Sequence, residues 1–417
     1  MLFAGAVGLQ LFAALLLLSN SLSAGDWPQW RGPQRNGHAP ADTPFVADGK
    51  FFEKWRAEVG TGFSSFACTN GRVFTVGNAD DQDTLWCLNV TDGSVLWKHT
   101  YPAPLDPNLF EGGPTSTPTV TGERVYVISR TGDIFCLNAA DGSIVWHVLL
   151  SEEQRQNRPS WGYAGSPLVD DGKVYFNVGS HGLCLNAENG ETIWESDNSE
   201  LPGYTSPFFV ETSGARLMLL ESEKALQAVD PASGDVKWKF PWITRYGINA
   251  ADPIVLNDHQ LIVTSGYQKG GSLLEFTADS CNEKWRTREI RSQMSPGVLI
   301  GDQLYAIDGD AGRDPRLICA DPATGKIKWF SREVGCGSVI AVGTQAAVLS
   351  ESGELLILPA GATEFKPLVR SQILEGKCWT PMAYSDEMFF ARNADGRVVC
   401  IAKNQNDPPP EKTSNSP

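Results

Sequence analysis

Three carboxylates stand within seven residues at Asp308, Asp310 and Asp314, and such a run is where a bound cation would first be sought. A calcium loop surrounds its ion with roughly six to eight oxygens, supplied at fixed spacing and ending on a bidentate Glu. The run Asp308-Gly309-Asp310-Ala311-Gly312-Arg313-Asp314 lacks that spacing and reads as a solvated loop. The histidines His38, His99, His147, His181 and His259 include no pair at ligand spacing, and His99 and His147 closely follow tryptophans, where a strand surface accounts for them. A Gly-x-Ser-x-Gly elbow, a phosphate loop and a Cys-x-x-Cys-His haem motif are all absent from the sequence. The chemistry that remains is recognition. The segments 101–111, 155–163 and 241–249 are long and rich in Trp, Tyr and Arg, the residue types enriched at binding hot spots. The candidate binding residues are Trp161, Tyr163, Trp242, Arg245, Asn249, Arg313 and Trp379.

The elements that must position these residues come from a repeat. Cys136-Leu137-Asn138-Ala139-Ala140-Asp141-Gly142-Ser143-Ile144-Val145-Trp146 reads as a strand, a tight Asp-Gly turn and a second strand closing on Trp. Asp-Gly suits a hairpin because Gly accepts positive φ and Asp bonds its own local backbone. The unit returns around Asp92-Gly93 with Trp97, Asn189-Gly190 with Trp194, Ser233-Gly234 with Trp238 and Thr324-Gly325 with Trp329. Trp55 to Trp329 covers six intervals of roughly 46 residues, a propeller-like period. An upstream half, such as Ser166 to Phe176, adds two more short strands to each unit. Four strands per repeat without helical spacing predict an all-β, eight-bladed β-propeller of four-stranded antiparallel blades.

The ends of the repeat predict how the ring closes. Phe51 to Val59 carries a landmark Trp without its own upstream strands, and 377–403 supplies three strands without a fourth. The N-terminal strand is therefore expected to complete the last blade, which removes a free sheet edge. Two copies are degenerate: Asp279-Ser280-Cys281 replaces the Asp-Gly turn in blade 5, and Phe365 stands where blade 7 should have Trp. Eight blades follow, or seven if that copy is not a full sheet. In a propeller the connections from outer to next inner strand share a face with the middle-strand turns. The long aromatic segments fall on that face, where they either receive a partner or plug the channel mouth.

Residues 2–18 are apolar apart from Gln10, and Ser-Leu-Ser-Ala follows at 21–24. This pattern is expected to be a secretory signal over 1–24, or an uncut anchor, since no Lys or Arg precedes the run. Export would place the protein in the periplasm or outside the cell. Residues 25–50, with Trp27 and Trp30, are expected to pack on the propeller at 51–403, because two tryptophans are costly to leave in water. The polar, proline-rich stretch 404–417 reads as a disordered tail. The net charge is −15, which disfavours nucleic acid as a partner. Cys87, Cys136, Cys184, Cys319 and Cys400 hold one position in five repeats and read as small apolar residues inside blades. A Cys336–Cys378 bridge between neighbouring blades is compatible with export.

The unit running from Gly132 to Trp146, with its counterparts, resembles the PQQ-type propeller repeat. That repeat builds quinoprotein alcohol dehydrogenases and also the non-catalytic BamB-like scaffold of the outer-membrane β-barrel assembly machinery. The opening Trp27-Pro28-Gln29-Trp30-Arg31-Gly32-Pro33 is similar to the start of secreted PQQ-like proteins of planctomycete-type bacteria. The dehydrogenase branch implies a PQQ cofactor under two adjacent cysteines, with calcium held by Glu, Asn and Asp. This sequence has no Cys-Cys pair, and no calcium ligand can be assigned by motif. The resemblance therefore implies a non-catalytic exported scaffold without a cofactor, which binds a protein segment or polymer of the cell envelope on the loop-rich face. The alternative it implies is a quinone-dependent oxidoreductase acting on alcohols or sugars.

Overall fold

The structure is a computed structural model that describes residues 25–39 and 50–403. The expectations for a signal at 1–24 and a tail at 404–417 lie outside the described residues. Eight antiparallel sheets are arranged in chain order, seven with four strands and one carrying a short fifth. Blade 2 is typical: Thr119–Thr121 is innermost, followed by Arg124–Ile128, Asp133–Asn138 and the outer strand Ile144–Leu149. Its second strand is apolar on both faces because a propeller blade is covered on both sides. Val125 and Val127 pack in the core shared with blade 1, and Tyr126 and Ile128 in the core shared with blade 3. The hydrophobic core is thus a series of interblade layers rather than one centre.

The ring closes through Phe51–Glu58, which pairs antiparallel with Arg397–Lys403, placing Trp55 opposite Cys400 and Arg56 opposite Val399. The first described strand of the ring is therefore the outer strand of blade 8.

The tryptophan and the turn glycine of the repeat meet across blade boundaries. Trp97 of blade 1 donates from Nε1 to the Ala139 carbonyl of the blade 2 turn at 3.0 Å. Trp55, Trp146 and Trp194 likewise donate to Val90, Ala187 and Pro231 in the next blade's turn. The indole lies flat enough on the turn that a Cβ on Gly142 would come 2.5 Å from the Trp97 ring, and one on Gly190 2.9 Å from Trp146. Glycine is needed there twice over, for its positive φ and for the close approach. Gly142→Ala is expected to cost about 1–3 kcal/mol. Gly172→Ala, at φ +70 with nothing within 4 Å, isolates the backbone part alone. Chemical denaturation of the two variants should place Gly142→Ala clearly below Gly172→Ala, and equal losses would show that the indole contact contributes nothing.

Blade 7 departs from the expected pattern. Its outer strand is Val369–Gln372, and Val369 pairs with Ile357 at the register tryptophan holds elsewhere. Phe365 lies before that strand and packs on Trp329 of blade 6, with ring centroids 6.3 Å apart. The reason is topological. Blade 8 takes its outer strand from the other end of the chain, so it has no hairpin turn on which a blade 7 tryptophan could sit. All nine cysteines are free thiols, Cys336 and Cys378 included.

Candidate functional site: the hub and its loop-rich mouth

The residues entering the inner strands build the hub. Thr117-Pro118, Ser166-Pro167, Ser206-Pro207 and Asp252-Pro253 occupy equivalent places, and the proline holds the residue before it extended. The main-chain N–H of Ser65 donates to Thr117 Oγ1 at 3.0 Å, that of Thr117 to Ser166 Oγ at 2.9 Å, and that of Ser166 to Ser206 Oγ at 2.9 Å. Ser206 N–H then donates to Asp252 Oδ1 at 2.9 Å. A belt of hydrogen bonds thus ties blades 1 to 5 around the channel, with a carboxylate where the other blades have a hydroxyl.

The segment 25–39 fills much of that channel. Asp386 N–H donates to the Gly25 carbonyl near the blade 8 turn opposite the loop-rich face. Trp27 bridges Cys68 of the blade 1 inner strand, Val120 N–H of blade 2 donates to Pro28, and His38–Ala39 runs parallel to Ser338–Val342 of blade 7. At the tip, Trp30 Nε1–H donates to Asp252 Oδ2 at 2.5 Å. Arg31 reaches the carbonyls of Asn36 and Gly297, and Arg35 those of Ser166 and Pro167. Burial draws both guanidinium groups down to about 10, against the pull of Asp252, so both stay charged at neutral pH. The same burial raises the Asp252 carboxyl, offset by Arg31, Trp30 and the Ser206 N–H. Two cations and one carboxylate share the hub, which makes its plug a charged plug, although Trp27 Nε1, Arg31 Nε and Arg35 Nε are buried without a partner in the protein.

Above the plug, on the loop-rich face, lies an open hollow of about 840 Å³ with Trp30 and Asp252 in its lining. Rings stand around it in contact order: Trp379 to Phe63 at 5.8 Å, Phe63 to Phe110 at 5.3 Å, Phe110 to Trp161 at 6.4 Å and Trp161 to Tyr204 at 5.7 Å. Tyr246 and Tyr267 form a separate edge-on pair at 5.3 Å. The polar tips are held: Trp161 Nε1 donates to Asn108 O, Trp379 Nε1 to Glu351 Oε1, and Gln293 donates to the Tyr267 hydroxyl. Such anchoring lowers the entropy lost when a ligand stacks on the rings. The Ser295 hydroxyl, buried in the wall, has no partner within the protein. A smaller cavity of about 510 Å³ lies between the plug and the far ends of the blade 4 and 5 inner strands.

Of the seven candidate residues, Trp161, Trp379 and Arg313 line the hollow. Tyr163 is buried, its hydroxyl donating to Gln154 O. Trp242 is fully buried, donates to Ser265 Oγ at 2.9 Å and lies beneath Lys269 and Arg286. Asn249 is fully buried too, and joins Ser222 O, Trp242 O and Ser265 Oγ. These three build the wall from behind. Arg245 is exposed beside the lining, 5.4 Å over the Tyr246 ring. Phe63, Phe110, Tyr204, Tyr246, Tyr267, Trp30 and Asp252 were not selected from sequence. The repeated Ser/Thr/Asp-Pro step was the available signal, since it marks where each connection turns into the hub.

A family profile described as outer membrane protein assembly factor BamB matches residues 106–331, more than half of the chain. The outer membrane protein assembly factor BamB of Burkholderia pseudomallei (strain K96243) is 25% identical over 262 residues. That match takes in 60% of this chain and 63% of that protein, so the chain spans just under two thirds of the relative's length. Among solved structures, BamB from Moraxella catarrhalis superposes with a TM-score of 0.60 at 18% identity, covering 85% of this chain and 99% of that one. A europium-containing methanol dehydrogenase superposes with a TM-score of 0.71 at 11% identity, covering 91% and 98%. At these identities the two structures speak for the fold alone.

Proposed function

Because the chain belongs to the family described as outer membrane protein assembly factor BamB, we propose that it is a non-catalytic scaffold that receives a polypeptide segment in the hollow of its loop-rich face. The observation that carries the reading is the open hollow itself, walled by seven Trp, Tyr and Phe rings and closed below by the plug. Rigid aromatic walls around a solvent-open cavity are the makings of a binding hot spot. The apolar run at 2–18 followed by Ser21 to Ala24 supports work outside the cytoplasm. No helix among the described residues is long and apolar enough to cross a membrane.

The quinone alternative asks the same hollow for calcium ligands. Its three lining carboxylates are already engaged: Glu223 with Lys224 at 3.2 Å, Asp252 with Trp30 and Ser206, and Asp310 with the Tyr267 N–H at 2.6 Å. Among the described residues no three of His, Cys, Asp and Glu converge as a metal site. The residues present do not fit a calcium-chelated quinone.

Phe110→Ala combined with Trp161→Ala is expected to weaken capture of envelope proteins by about tenfold or more, since two hot-spot rings contribute about 2 kcal/mol or more. The melting temperature should move by only a few degrees, because both rings are partly solvent-exposed. Undiminished capture by this variant would remove the hollow as the receiving site.

A further inference from the structure

Charge at the mouth of the hollow is distributed unevenly. The lining carboxylates Glu223, Asp252 and Asp310 all have partners within the chain, and Glu111, next to Phe110, is held by Lys377 at 2.6 Å. The arginines are not so placed. Arg313 lines the hollow, is exposed and forms no ion pair among the described residues. Arg245 lies only over the Tyr246 ring, again without a carboxylate. Arg158, exposed and one residue before the lining Pro159, donates to the Arg155 carbonyl alone. One exposed guanidinium group, that of Arg313 in the blade 6 middle turn, thus lines the aromatic cavity, and two more, those of Arg158 and Arg245 in the connections after blades 2 and 4, belong to exposed residues next in sequence to the lining residues Pro159 and Tyr246. Each can offer a forked pair of donors to a carboxylate.

Resting on the reading just given, we propose that the received segment is acidic and aromatic. Its large ring or apolar side chain enters among Phe110, Trp161 and Tyr246, while flanking Asp or Glu carboxylates meet Arg158, Arg245 and Arg313. The chain's net charge of −15 does not forbid this. At physiological ionic strength the Debye length is about 8 Å, so the nearby arginines outweigh acids on distant blades.

Three labelled peptides test the proposal by fluorescence anisotropy on the purified protein. One carries a Phe-Tyr pair flanked by two Asp on each side, the second has Lys for every Asp, and the third has Ser for the aromatic pair. The acidic aromatic peptide is expected to bind at least tenfold more tightly than either twin. Arg245→Gln with Arg313→Gln should weaken it by about tenfold, whereas Lys326→Gln with Lys328→Gln, equal in charge but remote on blade 6, should leave it unchanged. Equal or tighter binding of the Lys twin, no effect of the arginine pair, or no binding by any peptide overturns the proposal. If both charged twins bind alike and both are lost with Phe110→Ala and Trp161→Ala, the hollow remains the receiver and only its polarity is refuted. If neither is lost in that variant, the hollow itself is not the receiver.

Discussion

Arg392→Met is expected to lower stability by about 3–5 kcal/mol and to open the ring at its seam. Arg392 ends the second strand of blade 8 and is fully buried. Its guanidinium donates to Gly60 O at 2.8 Å, Val76 O at 2.7 Å, Ser64 O at 3.1 Å and Thr75 Oγ1 at 3.2 Å. All four acceptors lie more than 300 residues away, in blade 1 and the connection leading into it. Burial draws the group down to about 9, so it remains a cation at neutral pH. Methionine would fill much of the volume but remove the guanidinium donor from all four acceptors; Ser64 O and Thr75 Oγ1 keep their bond to each other, and each buried group left unsatisfied costs about 1–3 kcal/mol. Arg392→Lys should fall between the two, because one ammonium cannot copy the fork. Denaturant melts together with limited proteolysis check the result. A midpoint within about 1 kcal/mol of the parent, with no new cleavage near the seam, would mean that the strand pairing of Phe51–Glu58 closes the ring unaided.

Glu221→Gln should make the protein more stable at pH 8 than the parent, and the advantage should shrink towards pH 5. Glu221 ends the second strand of blade 4, has no exposed surface, and neither carboxyl oxygen has a hydrogen-bond partner in the protein. Burial, reinforced by the nearby Asp252, raises its carboxyl well above the ordinary glutamate range. The folded chain therefore keeps this proton at pH values where the unfolded chain has released it. Stability falls with rising pH across that interval, by about 1.4 kcal/mol per unit for one proton. Below the ordinary glutamate range both states are protonated and the variant has no such advantage. Urea melts at pH 5, 6.5 and 8 measure the slope. A parent-to-variant difference that stays flat across that range would contradict a buried, neutral Glu221.

Much of the architecture was legible because it is written locally. Asp141-Gly142 with Trp146 is a hairpin whose parts lie within a few residues, and its recurrence counts blades. The unpaired strand at Trp55 and the three-stranded remainder near Val399 predicted the closure found between Arg56 and Val399. The count is least secure at Phe365, because from sequence that residue reads as a tryptophan substitute in its own blade. Its setting depends on a turn that the neighbouring blade lacks. Loop composition singles out Trp161, Trp379 and Arg313, which line the hollow. It could not distinguish them from Trp242, Tyr163 and Asn249, which have similar neighbours in sequence but turn inwards.

The sequence by itself determined the repeat and the way the two ends share one sheet, since short-range turn chemistry and alternation specify each blade, while the structure decided between eight sheets and seven. Only the tertiary structure decided which aromatic rings face a cavity, that Trp30 and two arginines fill the hub against Asp252, and that Arg392 bolts the last blade to the first. Those arrangements join residues separated by up to about 330 positions. Their partners are set by how eight sheets pack around one axis, and no stretch of chain short enough to show a pattern contains both members of such a pair.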